Sequence, residues 1–330
     1  MTRRQAASLA LLAPLSAVGG CEWLRNMTQP DKKPAAADGP VAAKTGKNLV
    51  EYLNRQGDAL VSIKYPRVLV DVKAGKESFT LNDSSLFCRK SRDFLLVGGK
   101  AVLGDIVNAG SNDTEFWVYN RFSDPKYVVC SHADFERGTA QLPFPFDPDW
   151  ALQALGMGFY DPNRPYRVET DQATREHRLS YESTTPQGAT VKRTVVFAGD
   201  SMGDKQPQIR RHLIADAAGK PVATADIKEV VTMNAGRGKS GDKDVSVQVP
   251  TEVVLEWPQQ QFRMRLQLRS PKVNETISDA DARELFTRPA ISGVVPVNLA
   301  SLQASPRYRG ATPGEPTRRE LPPRSRGRAE

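Results

Sequence analysis

Few residues in this chain have types and spacing suited to chemistry, and they are scattered. Gly199-Asp200-Ser201-Met202-Gly203 matches G-x-S-x-G, the nucleophile elbow of serine hydrolases. That elbow needs a sharp strand-to-helix turn, which exposes the serine beside an oxyanion hole. Val195 to Phe197 supplies the strand, but Asp204-Lys205-Gln206-Pro207 and an alternating run stand where the helix should begin. A hairpin loop of turn-forming residues accounts for the motif better, so a hydrolase using Ser201 ranks last among the functional readings. Gly238-Lys239-Ser240 ends like a phosphate-binding loop, yet Met233 occupies the place of its first glycine. His132, His177 and His212 are far apart and show no ligand spacing. His132 lies beside Cys130 and Asp134, which would suit a small metal site; a strand-end histidine with ordinary hydrogen bonds is the simpler reading. No paired carboxylates, cysteine cluster or phosphate cradle stands out. The sequence does not support an enzyme and asks for no cofactor or metal.

The elements that must position these residues are mostly strands. Apolar and polar residues alternate through most of the chain, the period of a half-buried strand. Val68, Val70 and Val72 line one face of such a strand, and Pro66 predicts an irregularity where the facing changes. Further strands are expected at Asp93 to Val97, Glu115 to Tyr119, Lys126 to Cys130, Arg167 to Glu169, His177 to Tyr181, Val191 to Phe197, Ile209 to Ile214 and Lys228 to Met233. The clearest is Phe262 to Arg269, paired with Val253 to Trp257 across Pro258-Gln259-Gln260. Gly110-Ser111-Asn112-Asp113-Thr114 is a polar hairpin connection, with a binding loop as the lesser reading. Three helices are expected. Thr45 caps the first, which carries Leu49 and Leu53 one turn apart and stops at Gly57. Asp147-Pro148-Asp149-Trp150 opens the second, with acidic charge at its positive end, and Gly156 closes it. Ser278-Asp279-Ala280-Asp281 opens the third, which runs to Phe286. The fold class is therefore α+β: an unclosed, strongly curved antiparallel half-barrel with a few helices on its concave side.

At 330 residues the chain suits one domain of about 250 residues with irregular ends. The net charge of +8 is concentrated in the C-terminal stretch from Ser305, rich in Pro and Arg, which reads as a disordered tail. Its arginines suit phosphate head groups or another anionic envelope polymer, or simply solvent.

The start of the chain determines the compartment. Arg3 and Arg4 precede an apolar run, Ala6 to Val18, of roughly a dozen residues. A bilayer takes ~20 residues to span, so the run fits the h-region of a signal peptide. It ends in Val18-Gly19-Gly20-Cys21, which resembles the lipobox of bacterial lipoproteins. That resemblance implies cleavage before Cys21 and covalent diacylglycerol and acyl lipid on its thiol. Met27 to about Lys44, rich in Pro, Ala, Asp and Lys, then reads as a flexible tether. Residues 1–20 are thus a signal peptide, 21–44 the lipidated cysteine and tether, 45–304 the body and 305–330 the tail. An exported chain makes nucleic acid a poor partner. It also permits a disulfide between Cys88 and Cys130, although two separate buried thiols suit their apolar strands equally well.

The order of elements resembles the periplasmic lipoprotein carrier family, LolA and LolB, with its outer-membrane lipoprotein-sorting relatives. Two stretches carry the resemblance. Asn48 to Val72 is a helix running into a long strand with a proline. Val249-Pro250-Thr251 to Phe286 gives Pro-x-x-Val-x-Leu-x-Trp, the alternating strand, Val273-Asn274 and a helix ending in Leu285-Phe286. The Gly-Ser-Asn-Asp turn and Leu142-Pro143-Phe144-Pro145 also resemble lipoproteins of planctomycete-type bacteria. The resemblance implies a half-barrel enclosing an apolar cavity for acyl chains, with Val68, Val70, Phe262, Met264, Leu266 and Leu268 as candidate lining residues. It implies a lipid-anchored envelope protein facing the periplasm, on the outer membrane ahead of the inner. Its cargo would be acyl chains or lipoproteins. The competing reading is a structural or interaction lipoprotein, with the same alternation packed into a solid core.

Overall fold

The computed structural model describes residues 44–304, except 91, 102–103, 141–147, 200–206 and 238–243. Cys21, the signal peptide, the tether up to residue 43, Ser201 with its motif after Gly199, Gly238-Lys239-Ser240, Leu142-Pro143-Phe144-Pro145 and the basic tail therefore lie outside the described residues.

The strands are β1 (Ser62–Ala74), β2 (Glu77–Arg89), β3 (Asp93–Ala101), β4 (Gly104–Ser111), β5 (Glu115–Asn120), β6 (Tyr127–Ser131), β7 (Arg167–Asp171), β8 (Glu176–Thr184), β9 (Thr190–Ala198), β10 (Gln208–Asp216), β11 (Pro221–Arg237), β12 (Asp244–Trp257), β13 (Phe262–Arg269), β14 (Lys272–Val273) and β15 (Val297–Asn298). The helices are α1 (Gly46–Ala59), α2 (His132–Glu136), α3 (Pro148–Ala154), α4 (Asp279–Leu285) and α5 (Leu299–Ala304). All the strands join one sheet, in the order β15-β6-β5-β4-β3-β2-β1-β13-β12-β11-β10-β9-β8-β7, with β14 also on β1. Its two ends, β15 and β7, do not meet, so the sheet is an unclosed half-barrel. Two antiparallel meanders, β1 to β6 and β7 to β13, are joined where β1 pairs β13 from Arg67↔Arg269 to Ala74↔Phe262. Only the short β15 runs parallel to its neighbour, β6.

Local chemistry explains the best-formed elements. In β1 the register shifts between Tyr65 and Val68, and both residues are buried while Pro66 and Arg67 face water. This is the change of facing expected at Pro66, whose ring cannot donate to the ladder. Trp257 pairs with Phe262 across a single 3-10 turn, Pro258–Gln260, as the alternating pattern predicts. Thr45 caps α1 by accepting from the Asn48 amide at 3.2 Å, and Ser278 caps α4 by accepting from the Asp281 amide.

Gly57 does not end α1, which runs on to Ala59. A Cβ at position 57 would lie 2.4 Å from the Gly158 carbonyl oxygen. The glycine is required by close approach of the loop after α3, not by a helix stop.

The main core lies between one sheet face and α1 with α3. From α1 it takes Leu49, Val50, Tyr52 and Leu53; from α3 and the loop behind it, Trp150, Leu152, Leu155, Met157 and Tyr160. Trp150 meets Trp257 edge-on at 5.9 Å between ring centroids, and Tyr52 meets Phe197 likewise at 6.3 Å. Each fully buried large apolar side chain contributes about 1.5–3 kcal/mol, so this layer dominates the stability. Two smaller clusters sit on opposite faces of β5. Phe116, Cys130, Ala140 and Leu299 form one; Trp117, Tyr119 and Tyr127, packed by Ile291 and Val294, form the other. The segment after α4 is tied to that end of the sheet by Tyr127 donating to the Pro289 carbonyl at 2.7 Å and by the Arg288–Glu115 pair at 2.9 Å. No helix among the described residues is long and apolar enough to cross a membrane.

One pairing left open by the sequence is decided here. Cys88 and Cys130 are both free and buried, in separate clusters. Cys88 lies opposite Phe94, Phe94 opposite Ser111, Ser111 opposite Phe116, and Phe116 opposite Cys130. Four strand spacings of ~4.8 Å separate the thiols, far beyond the Cα separation of up to ~6.8 Å that a disulfide allows.

Candidate functional site

The six residues expected to line a cavity share one sheet face, as their alternation requires. Val68, Val70, Leu266 and Leu268 are buried in the main core, and Phe262 and Met264 are half-buried against it. The same core also takes side chains from α1 and from α3 with the loop behind it.

An apolar hollow lies on the flank of α1. It is a cleft of about 1200 Å³ between α1, residues 162–166, the far ends of β11 and β12, and Asn274. Gly46, Val50, Ala59, Val61, Tyr166, Ala235 and Val245 provide its apolar surface. Val61 is 50% exposed, unusual for a valine beside a core. Lys47, Glu51, Arg55, Asp58 and Arg164 stand around it with their charges in water. Lys47 faces Glu51 at 3.9 Å, Asp58 faces Lys90 at 3.4 Å, and the Arg164 guanidinium lies over the Tyr181 ring at 4.8 Å.

Three polar side chains hold this cleft in shape. Asn274, in the left-handed backbone region at φ 54°, accepts from the Val61 amide at 2.8 Å and the Ser62 amide at 3.2 Å. Its Nδ2 donates to the carbonyls of Ala59 and Ala235, both at 2.8 Å. One side chain thereby joins the end of α1, the start of β1 and the β11 wall. Asn54 pairs with the Tyr160 backbone in both directions, donating to its carbonyl at 2.7 Å and accepting from its amide at 2.8 Å. Gln56 accepts from the Gln248 amide at 3.3 Å and from the Tyr52 hydroxyl at 3.0 Å. Behind the cleft wall, Tyr166 meets Tyr181 edge-on, and the hydroxyls of Tyr160 and Tyr166 have no hydrogen-bond partner among the described residues. Burial pushes the Tyr166 phenol up to about 12 and the Tyr160 phenol well above its ordinary value. The lining contains no imidazole, thiol or serine.

The histidines are not brought together. His132 opens α2, capped by Ser131, and does not end a strand. Its Nε2 lies 2.8 Å from the Asn112 carbonyl and 3.1 Å from the Ser111 hydroxyl. Nearby Asp134 is held by Ser131 and Arg137. His177 pairs through Nδ1 with the Thr170 hydroxyl at 2.9 Å. His212 lies wholly in the core, where loss of solvation lowers its pKa to about 4. Among the described residues no group of three or more potential metal ligands forms. Gly110 to Thr114 is the expected hairpin connection: Asn112 Oδ1 accepts from the Thr114 and Glu115 amides. Gly110 lies directly under the Trp117 indole, where a Cβ would be 2.2 Å from the ring, and Trp117 donates to Asn108 Oδ1 at 2.8 Å.

Sequence reasoning did not find Asn54, Tyr166 or the cleft role of Asn274. An Asn-x-x-x before a core run carries no local signal, and their partners lie between 39 and 215 residues away for Asn274 and 106 for Asn54.

Comparison with known proteins gives structural likenesses only. No family model matches the chain, and no curated protein does. A DUF1329 family protein from Desulfovibrio piger is 13% identical, covering 73% of this chain and 96% of its own, with a TM-score of 0.46. An outer-membrane lipoprotein-sorting protein domain from Vibrio parahaemolyticus is 10% identical over 73% and 98%, again at 0.46. A LolA superfamily protein from Nitrosomonas europaea is 10% identical over 74% and 99%, at 0.43.

Proposed function

We propose that this chain is a lipid-anchored envelope protein that binds an acyl chain, free or on a lipidated protein, in the cleft beside α1. The observation that supports the reading is the cleft itself. At about 1200 Å³ it exceeds the ~300–1,000 Å³ of ordinary small-molecule pockets, and its surface is mainly apolar. Each methylene taken from water there contributes about 0.8 kcal/mol, so a chain of ten buried methylenes supplies roughly 8 kcal/mol before ordering costs. The charged groups at the rim suit a polar head left in water. In this reading Cys21 carries the lipid anchor and the body works from a fixed point on a membrane facing the periplasm.

The test is native mass spectrometry of the full chain, purified without detergent, together with titration of a fluorescent fatty acid. Bound or exchangeable lipid is expected, and Val61→Glu should weaken uptake about tenfold while leaving the melting temperature unchanged. Absence of lipid and of fatty-acid uptake would overturn the reading. A second reading, an interaction lipoprotein with a solid body, draws on the filled space in front of Val68, Val70, Leu266 and Leu268. It predicts no lipid uptake at all.

A further inference from the structure

Strands β7 to β11 send alternate residues to opposite faces. Leu179, Tyr181, Val195, Phe197 and Ile214 enter the main core. The residues between them line a groove of about 650 Å³ on the other face. Its middle is built from small and neutral side chains. Ser180, Thr194 and Leu213 share one rung, and Val196 lies between Arg178 and Arg211 on the next. Long charged side chains stand along the borders, which is why a sheet face that would otherwise be flat becomes a trough.

The charge of this trough is one-sided. Arg175, Arg178, Lys192, Arg210, Arg211 and Lys228 line it, against three carboxylates, Glu169, Glu176 and Asp226. Asp226 serves two cations at once, Arg211 and, at 3.1 Å, Lys228. Glu176, with Asp171 outside the trough, holds Arg178 at 3.3 and 3.4 Å. Lys192 and Arg210 pair with no carboxylate among the described residues. Lys192 lies between Glu182 on β8 and Ala215 on β10, and Arg210 sits in the bulge between Ile209 and Arg211. About five residues of strand, roughly 17 Å, therefore separate these two cations. They mark opposite ends of the groove.

The described chain begins at the β7 and β8 end of the sheet, on the core face opposite the groove. Gly46 packs against Tyr166, Val168 and Leu179, and the Lys44 charge acts on His177 of β8. Between Cys21 and Lys44 lie 22 residues, and a chain of that length can span at most ~75 Å.

We propose that the outer face of β7 to β11 is a docking surface for anionic lipid head groups, holding the anchored body flat against the membrane. This rests on the reading that Cys21 carries the anchor only for its placement; the charge of the groove stands without it. Phosphate-bearing head groups in a plane match cations spread along an open trough with a hydroxyl-bearing floor, and such attraction falls with ionic strength.

The test uses the full chain carrying Cys21→Ser, so that docking is measured apart from lipidation. Sedimentation with phosphatidylcholine vesicles containing phosphatidylglycerol is compared with sedimentation with phosphatidylcholine alone. Lys192→Gln with Arg210→Gln is expected to lower binding to the anionic vesicles about tenfold. Lys73→Gln with Lys76→Gln, equal in charge but at the β1–β2 turn, should change it less than twofold. Circular dichroism should be unchanged in both. Equal losses from the two pairs would mean net charge alone and would overturn the proposal, as would no loss from the groove pair. Displacement from the vesicles by millimolar inorganic phosphate, at matched ionic strength, would identify a soluble-anion site instead and overturn it too.

Discussion

Cys88 and Cys130 occupy the same rung of the sheet, with Phe94, Ser111 and Phe116 between them on the intervening strands. Both thiols are buried, and burial pushes the Cys130 thiol up to about 11 and the Cys88 thiol higher still. Neither carries appreciable thiolate at neutral pH, and thiolate is the reactive form. In a Cys21→Ser chain at pH 8, a disulfide thiol reagent should therefore react with neither cysteine while the protein is folded and with both in denaturant. A bridged species in non-reducing mass analysis would contradict the sheet register.

Acid should weaken the fold through its buried imidazoles. His212 is neutral in the core with a pKa of about 4, against ~6.5 for an exposed histidine, and burial also lowers the pKa of His177. The unfolded chain takes up these protons first. Stability is thus complete above about pH 6.5 and falls as the pH drops towards 4. The His212 share amounts to roughly 3 kcal/mol at ~1.36 kcal/mol per unit. Urea midpoints measured across that range should show the decline, and His212→Leu should flatten it.

Asn274 is expected to be the most sensitive polar position near the cleft. Asn274→Leu strands the Val61 and Ser62 amides and the Ala59 and Ala235 carbonyls, and forces a branched residue into φ 54°. A loss of about 2–4 kcal/mol in chemical denaturation follows, with weakened fatty-acid uptake. Asn274→Asp keeps both acceptor contacts and should fall between.

Tyr160 makes the opposite case. Its hydroxyl is buried without a hydrogen-bond partner among the described residues, which costs stability in the folded state. Tyr160→Phe should leave the protein as stable or raise it by up to about 1 kcal/mol. A marked loss would show that the hydroxyl has a partner in solution.

Gly57 tests the seating of α1. Helix propensity alone favours alanine there by about 1 kcal/mol. The added Cβ would meet the Gly158 carbonyl at 2.4 Å, backbone that cannot swing aside. Gly57→Ala should therefore destabilise despite its propensity, and hydrogen exchange at the Tyr160 amide should quicken as its loop is pushed from Asn54.

Sequence patterning reached the faces of the sheet but not what covers them. The alternation in β13, the proline in β1 and the caps Thr45 and Ser278 are local effects, and each appears where expected. Strand β4, Gly104–Ser111, escaped notice because its small residues carry no strong period; they are small to admit the Trp117 ring over Gly110. Val68, Val70, Leu266 and Leu268 were assigned to the correct face, yet periodicity is the same for a wall beside an empty space and a wall beneath a helix. The cleft was illegible for a related reason. Its apolar surface combines small residues, Gly46, Ala59 and Ala235, with Val50, Val61, Val245 and Tyr166, which are scattered in sequence and meet only when α1 is set beside β11 and β12.

The join between β1 and β13 has a consequence in time. Arg67 and Arg269 are neighbours in the sheet but are separated by most of the chain. The first meander can assemble early from nearby contacts, but its β1 edge then stays bare until Phe262–Arg269 is available. Such distant pairing is slow to form, and an open edge is where chains stick to one another. The whole body must therefore be present before the sheet is safe, so a chain cut short anywhere before β13 should aggregate rather than fold in part.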